Sequence, residues 1–226
     1  MKIIYKIRYG SHAYGTNTPH SDLDIRGIYL PSIDECLSLN ELPDFYDREK
    51  DILIFPLQKF FRLLSRSNPS VIEWLYVDEK DILEMTHPGQ RIRENRELFL
   101  SKEIYDRFKG YALSEFGRLE KLTGDTGEKR KQGILQYGYN VKSAVNVLRL
   151  LQEATELLSS SFLTLPLKNR EQLLEIKNGG WSYRQVEESF QRRMEELQES
   201  YAGSRLPEHC DLEAIDKLMI EIIKNG

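Results

Sequence analysis

The sequence predicts an α+β protein, with a small mixed-sheet head followed by a mainly helical body. Three observations carry this. The first 80 residues hold short apolar runs punctuated by Gly, Pro, Asn and Asp. From about residue 90 the apolar residues recur instead at steps of three and four, the helical period. A chain of 226 residues, 40% hydrophobic and 30% charged, can bury a sizeable core as one large domain or two small ones. We place the expected division at residues 1–85 and 86–226.

In the head, "IIYKIRYG", "LDIRGIYLP" and "KDILIFPL" have strand length and are rich in β-branched and aromatic side chains. After Pro56, Leu57, Phe60, Phe61 and Leu64 take helical spacing, and "SNP" then stops that helix. In the body, Ile104, Phe108, Tyr111 and Leu119 fall near one face of the next helix. Segment 121–133, "KLTGDTGEKRKQG", mixes glycines with basic residues and reads as a mobile loop. Val141, Val145, Leu148 and Leu151 form the stripe of a long middle helix. Ser182 and Gln185 have capping-box spacing ahead of Val186, Phe190, Met194, Leu197 and Tyr201, with Gly203 placed to close that helix. The tail "DLEAIDKLMIEIIKNG" is a further amphipathic helix.

Charge excludes some function classes. With 32 basic and 36 acidic residues the net charge is −4, so a nucleic-acid partner needs a local basic patch, for which "EKRKQG" is a candidate. Cys36 and Cys210 lack metal spacing and fit a reducing compartment. No run approaches the roughly 18 apolar residues of a membrane span. A cytoplasmic protein with no membrane partner is therefore expected. The oligomeric state stays open, because the apolar stripes of the last two helices serve equally for internal packing or for a dimer.

The chemistry concentrates in "YGSHAYGTNTPHSDLDIRG", residues 9–27. On a strand, Asp22, Asp24 and Arg26 would share one face, with the two carboxylates roughly 7 Å apart. A divalent cation between them would remove their repulsion, and oxygen-only ligands suit Mg²⁺. Arg26 could balance that charge or meet a phosphate. A D-x-D alone is more often an exposed strand edge. The preceding Gly10-Ser11, directly after an apolar run, changes the weighting: glycine lets backbone N–H groups approach a phosphate, and serine adds a donor. No G-K-[ST] follows, so this is not a Walker loop. His12 and His20 flank the motif as structural or minor phosphate neighbours, and Glu73 in "NPSVIEWL" supports the head's helix or orients a site residue.

"GSHAYGTNTPHSDLDIRG" resembles the G-S-x(9-13)-[DS]-D-x-D signature of the DNA polymerase β-like nucleotidyltransferases. The resemblance implies a polymerase β-like palm in the head, with residues 1–85 as a catalytic head and 86–226 as a substrate-binding or interaction domain. It implies that Gly10 and Ser11 bind a triphosphate while Asp22 and Asp24 bind Mg²⁺ (or Mn²⁺). A third carboxylate matches Asp51 in "EKDILIFPLQKF"; Asp47 and Glu49 share its strand parity and are rivals, and Asp51 is preferred because it opens the apolar run. Further segments, "KFFRLLSRSNPSVIEWL", "YGYNVKSAVNVLRLLQEATELL" and "LPLKNREQLLEIKNGGWSYRQVEE", are similar to the RlaP family of nucleotidyltransferases associated with RNA repair. Asn140, Ser143 and Asn146 depart from that family's pattern, whereas Tyr139, Lys142 and Arg149 keep it. Lys142 and Arg149, seven apart, share a helix face and could reach a triphosphate or an acceptor backbone. Tyr137 and Tyr139 could stack on a base. The implied activity moves a nucleoside monophosphate from an NTP to an acceptor, an RNA end, in RNA repair or modification. The alternatives are a toxin-like or stress-related transferase acting on tRNA or protein, and a non-catalytic nucleotide- or RNA-binding module.

Overall fold

The computed structural model describes residues 1–19, 21–119 and 134–226; the expected loop at 121–133 and His20 lie outside the described residues. The five strands are β1 (Lys2–Tyr9), β2 (Asp24–Leu30), β3 (Phe45–Asp47), β4 (Ile52–Pro56) and β5 (Ile82–Met85). They form one mixed sheet in the order β3-β4-β2-β1-β5, in which only β2 and β4 pair in parallel. A parallel neighbour needs a long connection, and α2 (Ile33–Leu37) and β3 lie within it. A one-turn helix, α1 (Ser11–Tyr14), joins β1 to the segment before β2.

Two compact units divide the chain. The first comprises 1–101, 164–168 and 207–226, and the second 102–163 and 169–206. This partition differs from a division at 85/86, because the last helix returns to the head.

In the first unit, Ile4, Ile7, Ile28 and Ile54 of the strands are buried, as are Leu57, Phe60, Phe61 and Leu64 of α3 (Leu57–Leu64), the four residues that the helical spacing selected. Trp74 stacks between Phe55 and Phe60, with ring centroids 5.4 and 5.3 Å away. The helix α3 ends before "SNP", and Asn68 then caps α4 (Pro69–Ile72) by accepting from the Ser70 N–H. Past β5, α5 (His87–Glu94) is tied to the last helix, where Arg91 donates to Glu221 at 2.9 Å.

The second unit is helical: α6 (Glu103–Phe116), α7 (Val141–Ser160), α8 (Arg170–Lys177) and α9 (Tyr183–Gly203). Ser182 and Gln185 form the expected capping box at the start of α9. That helix runs through Gly203, and Ser204 follows in an extended conformation, so Gly203 does not act as a left-handed cap. Two stripes differ in part from expectation. Ile104, Phe108 and Leu119 are buried as the spacing put them, together with Tyr105 and Ala112, while Tyr111 is 43% exposed. On α7 the buried set centres on Ala144, Val147, Leu148 and Leu151, leaving Val141 and Val145 half-buried. The helix α10 (Leu212–Asn225) belongs to the first unit and buries Ile215, Leu218 and Ile222.

Candidate active site

Strand register assembles the site. In the antiparallel β1–β2 pair Tyr9 stands opposite Asp24, so Gly10 and Ser11 follow directly beside that aspartate. In the parallel β2–β4 pair Ile25 stands opposite Ile52, which brings Asp24 and Asp51 to the same end of adjacent strands. Three chain segments distant in sequence thus meet at one end of three neighbouring strands.

Gly10 has φ 64° and ψ −137°, a mirror-β conformation that glycine alone populates readily. The space beside it is equally restrictive. A Cβ on Gly10 would lie 2.1 Å from Asp24 Oδ2. The aspartate carboxylate is therefore laid directly on the Gly-Ser turn. The turn itself is fixed by the Tyr14 N–H donating to the Gly10 carbonyl at 3.1 Å and the Thr16 N–H to the Ser11 carbonyl at 2.9 Å, with Gly15 in the left-handed conformation closing it.

Arg26 lies between the two acids. Its Nη1 donates to Asp51 Oδ1 at 3.1 Å, and its Nη2 stands 3.5 Å from Asp24 Oδ1. Nη1 also donates to the carbonyls of Asp51 and Ile25 at 2.8 and 2.9 Å, and the guanidinium carbon lies 5.7 Å from the Tyr9 ring centroid. Asp51 itself takes φ 46°, an uncommon conformation for a non-glycine residue and one that costs free energy. Of its rivals, Asp47 turns its carboxylate inward on its own turn, accepting from the N–H groups of Glu49 and Lys50 at 3.1 Å each, and Glu49 is exposed.

The expected residues are thus gathered in part. Gly10, Ser11, Asp24, Arg26 and Asp51 converge. Asp22 lies two residues ahead of β2 on an exposed segment, so it does not share a strand face with Asp24 and Arg26. Among the described residues no three His, Cys, Asp or Glu side chains are grouped to hold an ion. The acidic donors still fit a hard divalent cation: Asp24 and Asp51 offer oxygen ligands alone, and their shared contact with the Arg26 guanidinium shows that positive charge is favoured beside them.

Lys142 lies in the second unit, exposed in the first turn of α7. Arg149 is buried, and its Nη1 donates to both oxygens of Glu153 at 2.9 Å, so its charge is engaged within α7. Tyr139 is buried, its hydroxyl donating to the Trp181 carbonyl at 2.8 Å, and Tyr137 packs its ring against Gly179, where an added Cβ would meet it at 2.0 Å. Packing explains both tyrosines. The basic "EKRKQG" segment falls outside the described residues.

Three groups beside the site were less legible. His12 Nε2 and Asp81 Oδ2 are buried without a hydrogen-bond partner among the described residues. Burial pushes the Asp81 carboxyl up; Lys80, Arg8 and His12 pull it back, and Asp78 pushes it further up. Glu73 is fully buried and accepts from the hydroxyls of Tyr9 and Tyr14. Its signal in the sequence was an acid set within the apolar run "NPSVIEWLYV".

A mixed sheet of this kind, with helices following it, defines an α+β protein with a polymerase β-like head. The model of RlaP, the RNA repair pathway DNA polymerase beta family, matches residues 1–221, and the chain belongs to that family. It is also similar to the uncharacterized protein YcgL of Bacillus subtilis (strain 168), 35% identical over 82 residues that make up 34% of this chain and 32% of that protein. An uncharacterized 38.9 kDa protein from the nrdC-mobD intergenic region of Enterobacteria phage T4 is 29% identical over 117 residues, 46% of this chain and 35% of the phage protein. The chain therefore covers about a third of the length of these two relatives. Among the described residues no helix is long and apolar enough to cross a membrane.

Proposed function

We propose that the chain is a metal-dependent nucleotidyltransferase that moves a nucleoside monophosphate from an NTP to the hydroxyl of an RNA end and releases pyrophosphate. One observation carries the reading: Gly10-Ser11, Asp24 and Asp51 meet at one end of adjacent strands, with the Asp24 carboxylate against the Gly10 backbone. A phosphate cradle touching an acidic pair is the equipment phosphoryl transfer needs, since that chemistry is mostly positioning and charge stabilisation.

Asp24 and Asp51, with Asp22 drawn in from its exposed segment, would hold Mg²⁺ or Mn²⁺. Such an ion supplies Lewis-acid charge at the triphosphate and at the acceptor oxygen. The backbone N–H groups of the Gly10-Ser11 turn and the Ser11 hydroxyl take the β and γ phosphates. Arg26 keeps Asp24 and Asp51 together and presents a second cation to the phosphates. The acceptor oxygen bonds to the α-phosphorus as the bond to the β-phosphate breaks, and its proton leaves on the Asp51 side.

The test uses each NTP labelled at the α-phosphate, offered to total RNA, DNA and cell protein. RNA should carry the label. Asp24→Asn should lower incorporation by at least the roughly 10–100-fold that loss of an outer-shell metal partner costs. Labelled protein with unlabelled RNA would overturn the RNA assignment, and full incorporation by Asp24→Asn would overturn the site.

A further inference from the structure

We propose that Glu73 is a positioning residue for the triphosphate cradle, acting through Tyr9 and Tyr14; the nature of its ligand rests on the nucleotidyltransferase reading.

Glu73 begins the 3₁₀ turn Glu73–Tyr76, directly after α4, and has no exposed surface. A carboxylate so placed is costly to desolvate unless strong hydrogen bonds meet it. Its Oε2 accepts from the Tyr9 hydroxyl at 2.8 Å and from the Tyr14 hydroxyl at 2.5 Å. The positions of those tyrosines give the contact its meaning. Tyr9 is the last residue of β1, immediately before Gly10, and Tyr14 is the last residue of α1, immediately before Gly15. A single carboxylate oxygen therefore holds both ends of the turn that carries Gly10 and Ser11.

The two rings also meet edge to face, with centroids 5.8 Å apart and planes at 67°, and Tyr9 meets Trp74 in the same manner at 6.0 Å. On its other side the Leu167 N–H donates to the Tyr14 carbonyl at 3.2 Å. The turn is thus braced by side-chain hydroxyls on one side and backbone on the other. Bracing matters because Gly10 touches Asp24: freedom of the turn becomes freedom of the distance between phosphate donors and acid. For a core-packing role alone an apolar side chain of similar size would serve as well. One acceptor oxygen shared by two hydroxyls specifies direction, which packing does not.

The inference separates two affinities. Asp24 and Asp51 are placed by strand register and by Arg26, so cation binding should not depend on Glu73. Triphosphate binding should. The experiment compares wild type, Glu73→Gln and Tyr14→Phe. Three quantities are measured: Mn²⁺ affinity by electron paramagnetic resonance without nucleotide, affinity for a non-hydrolysable NTP analogue with Mg²⁺, and the thermal midpoint. Both variants should bind the analogue about tenfold more weakly while Mn²⁺ affinity stays within about twofold, the size of effect expected for loss of an orienting partner. Glu73→Gln keeps the shape but replaces the carboxyl with an amide, and Tyr14→Phe removes one hydroxyl and leaves the acid in place, so the two variants perturb the same contact from opposite ends.

Analogue affinity unchanged in variants whose midpoints fall would make Glu73 a packing residue and overturn the proposal. Equal losses of Mn²⁺ and analogue affinity would also overturn it, since the damage would then be to the whole site. Failure of wild type to bind the analogue would remove the nucleotide reading and this inference together, a result distinct from wild-type binding with no effect in the variants.

Discussion

Gly10→Ala tests the geometry of the site without any assumption about substrate. The added Cβ would lie 2.1 Å from Asp24 Oδ2 and 3.1 Å from its Cγ, whereas real Cβ atoms essentially never come within 3.0 Å of such a neighbour. The carboxylate or the turn must therefore give by about 1 Å before any van der Waals comfort is reached. A second cost is independent of space: φ 64° is a conformation L-residues rarely adopt, worth about 1–3 kcal/mol. At about 2 kcal/mol, a protein of this size loses roughly 4–8 °C in thermal midpoint. Displacing one acid by about 1 Å should also cost about a hundredfold in turnover. The informative assay is a double-mutant cycle read by thermal unfolding. Asp24→Ala removes the atoms in the way, so Gly10→Ala should cost less in that background by at least about 0.5 kcal/mol, leaving only the backbone strain. Additive effects, or a Gly10→Ala protein that unfolds with wild type, would refute the contact and with it the joining of cradle to acid.

Arg26→Gln removes a mostly buried guanidinium that meets Asp51, Asp24 and two carbonyls, so stability should fall by about 1–3 kcal/mol. Mg²⁺ should restore more of that loss than it adds to wild type, measured as thermal midpoint with and without the ion; equal shifts in both would count against a cation site there. For Asp81, burial raises the carboxyl in the folded state above its unfolded value, so the folded protein binds the extra proton. The stability it contributes is full below the unfolded pKa and is lost as pH rises through the folded one. Asp81→Asn should therefore unfold at a higher midpoint than wild type at neutral pH, and the gap should close toward about pH 3. A constant gap across a scan from about pH 3 to about pH 8 would show that titration of Asp81 is not its cause.

Short-range features were legible, and long-range ones were not. Strands β1, β2 and β4, the α3 stripe and the Ser182–Gln185 capping box depend on neighbours within four residues, and each is where the spacing put it, whereas the short β3 and β5 carried no such signal. The α7 stripe shifted because that helix is packed by α6, α8 and α9 and is buried over much of its circumference, a case in which one apolar line cannot be singled out. The return of α10 to the head is a tertiary contact between residues more than 100 apart, marked by Arg91 and Glu221, and periodicity carries no partner information. Parity failed for the acids for a similar reason. Asp22 and Asp51 were assigned to strand faces, but β2 begins at Asp24 and Asp51 sits at the left-handed residue before β4. What brings Asp51 to Asp24 is the parallel register of β2 and β4, which no local pattern encodes.

The position of Arg26 follows from that register and bears on how the acids are kept ready. Adjacent strands lie about 5 Å apart, so two carboxylates at the same end of neighbouring strands repel at short range. A cation on β2 itself offsets this, two residues from Asp24 and across from the start of β4. Its anchorage is the telling detail: the two shortest contacts of Nη1 go to the carbonyls of Asp51 and Ile25, and the carboxylate contacts are longer, at 3.1 and 3.5 Å. Backbone therefore fixes the guanidinium, while the acids approach it by side-chain rotation. Either carboxylate can turn toward another cation without releasing Arg26 from the strand. The same carbonyl contact holds Asp51 at its uncommon φ of 46°, so the arginine both offsets the repulsion between the acids and supports the strained residue that places the second of them.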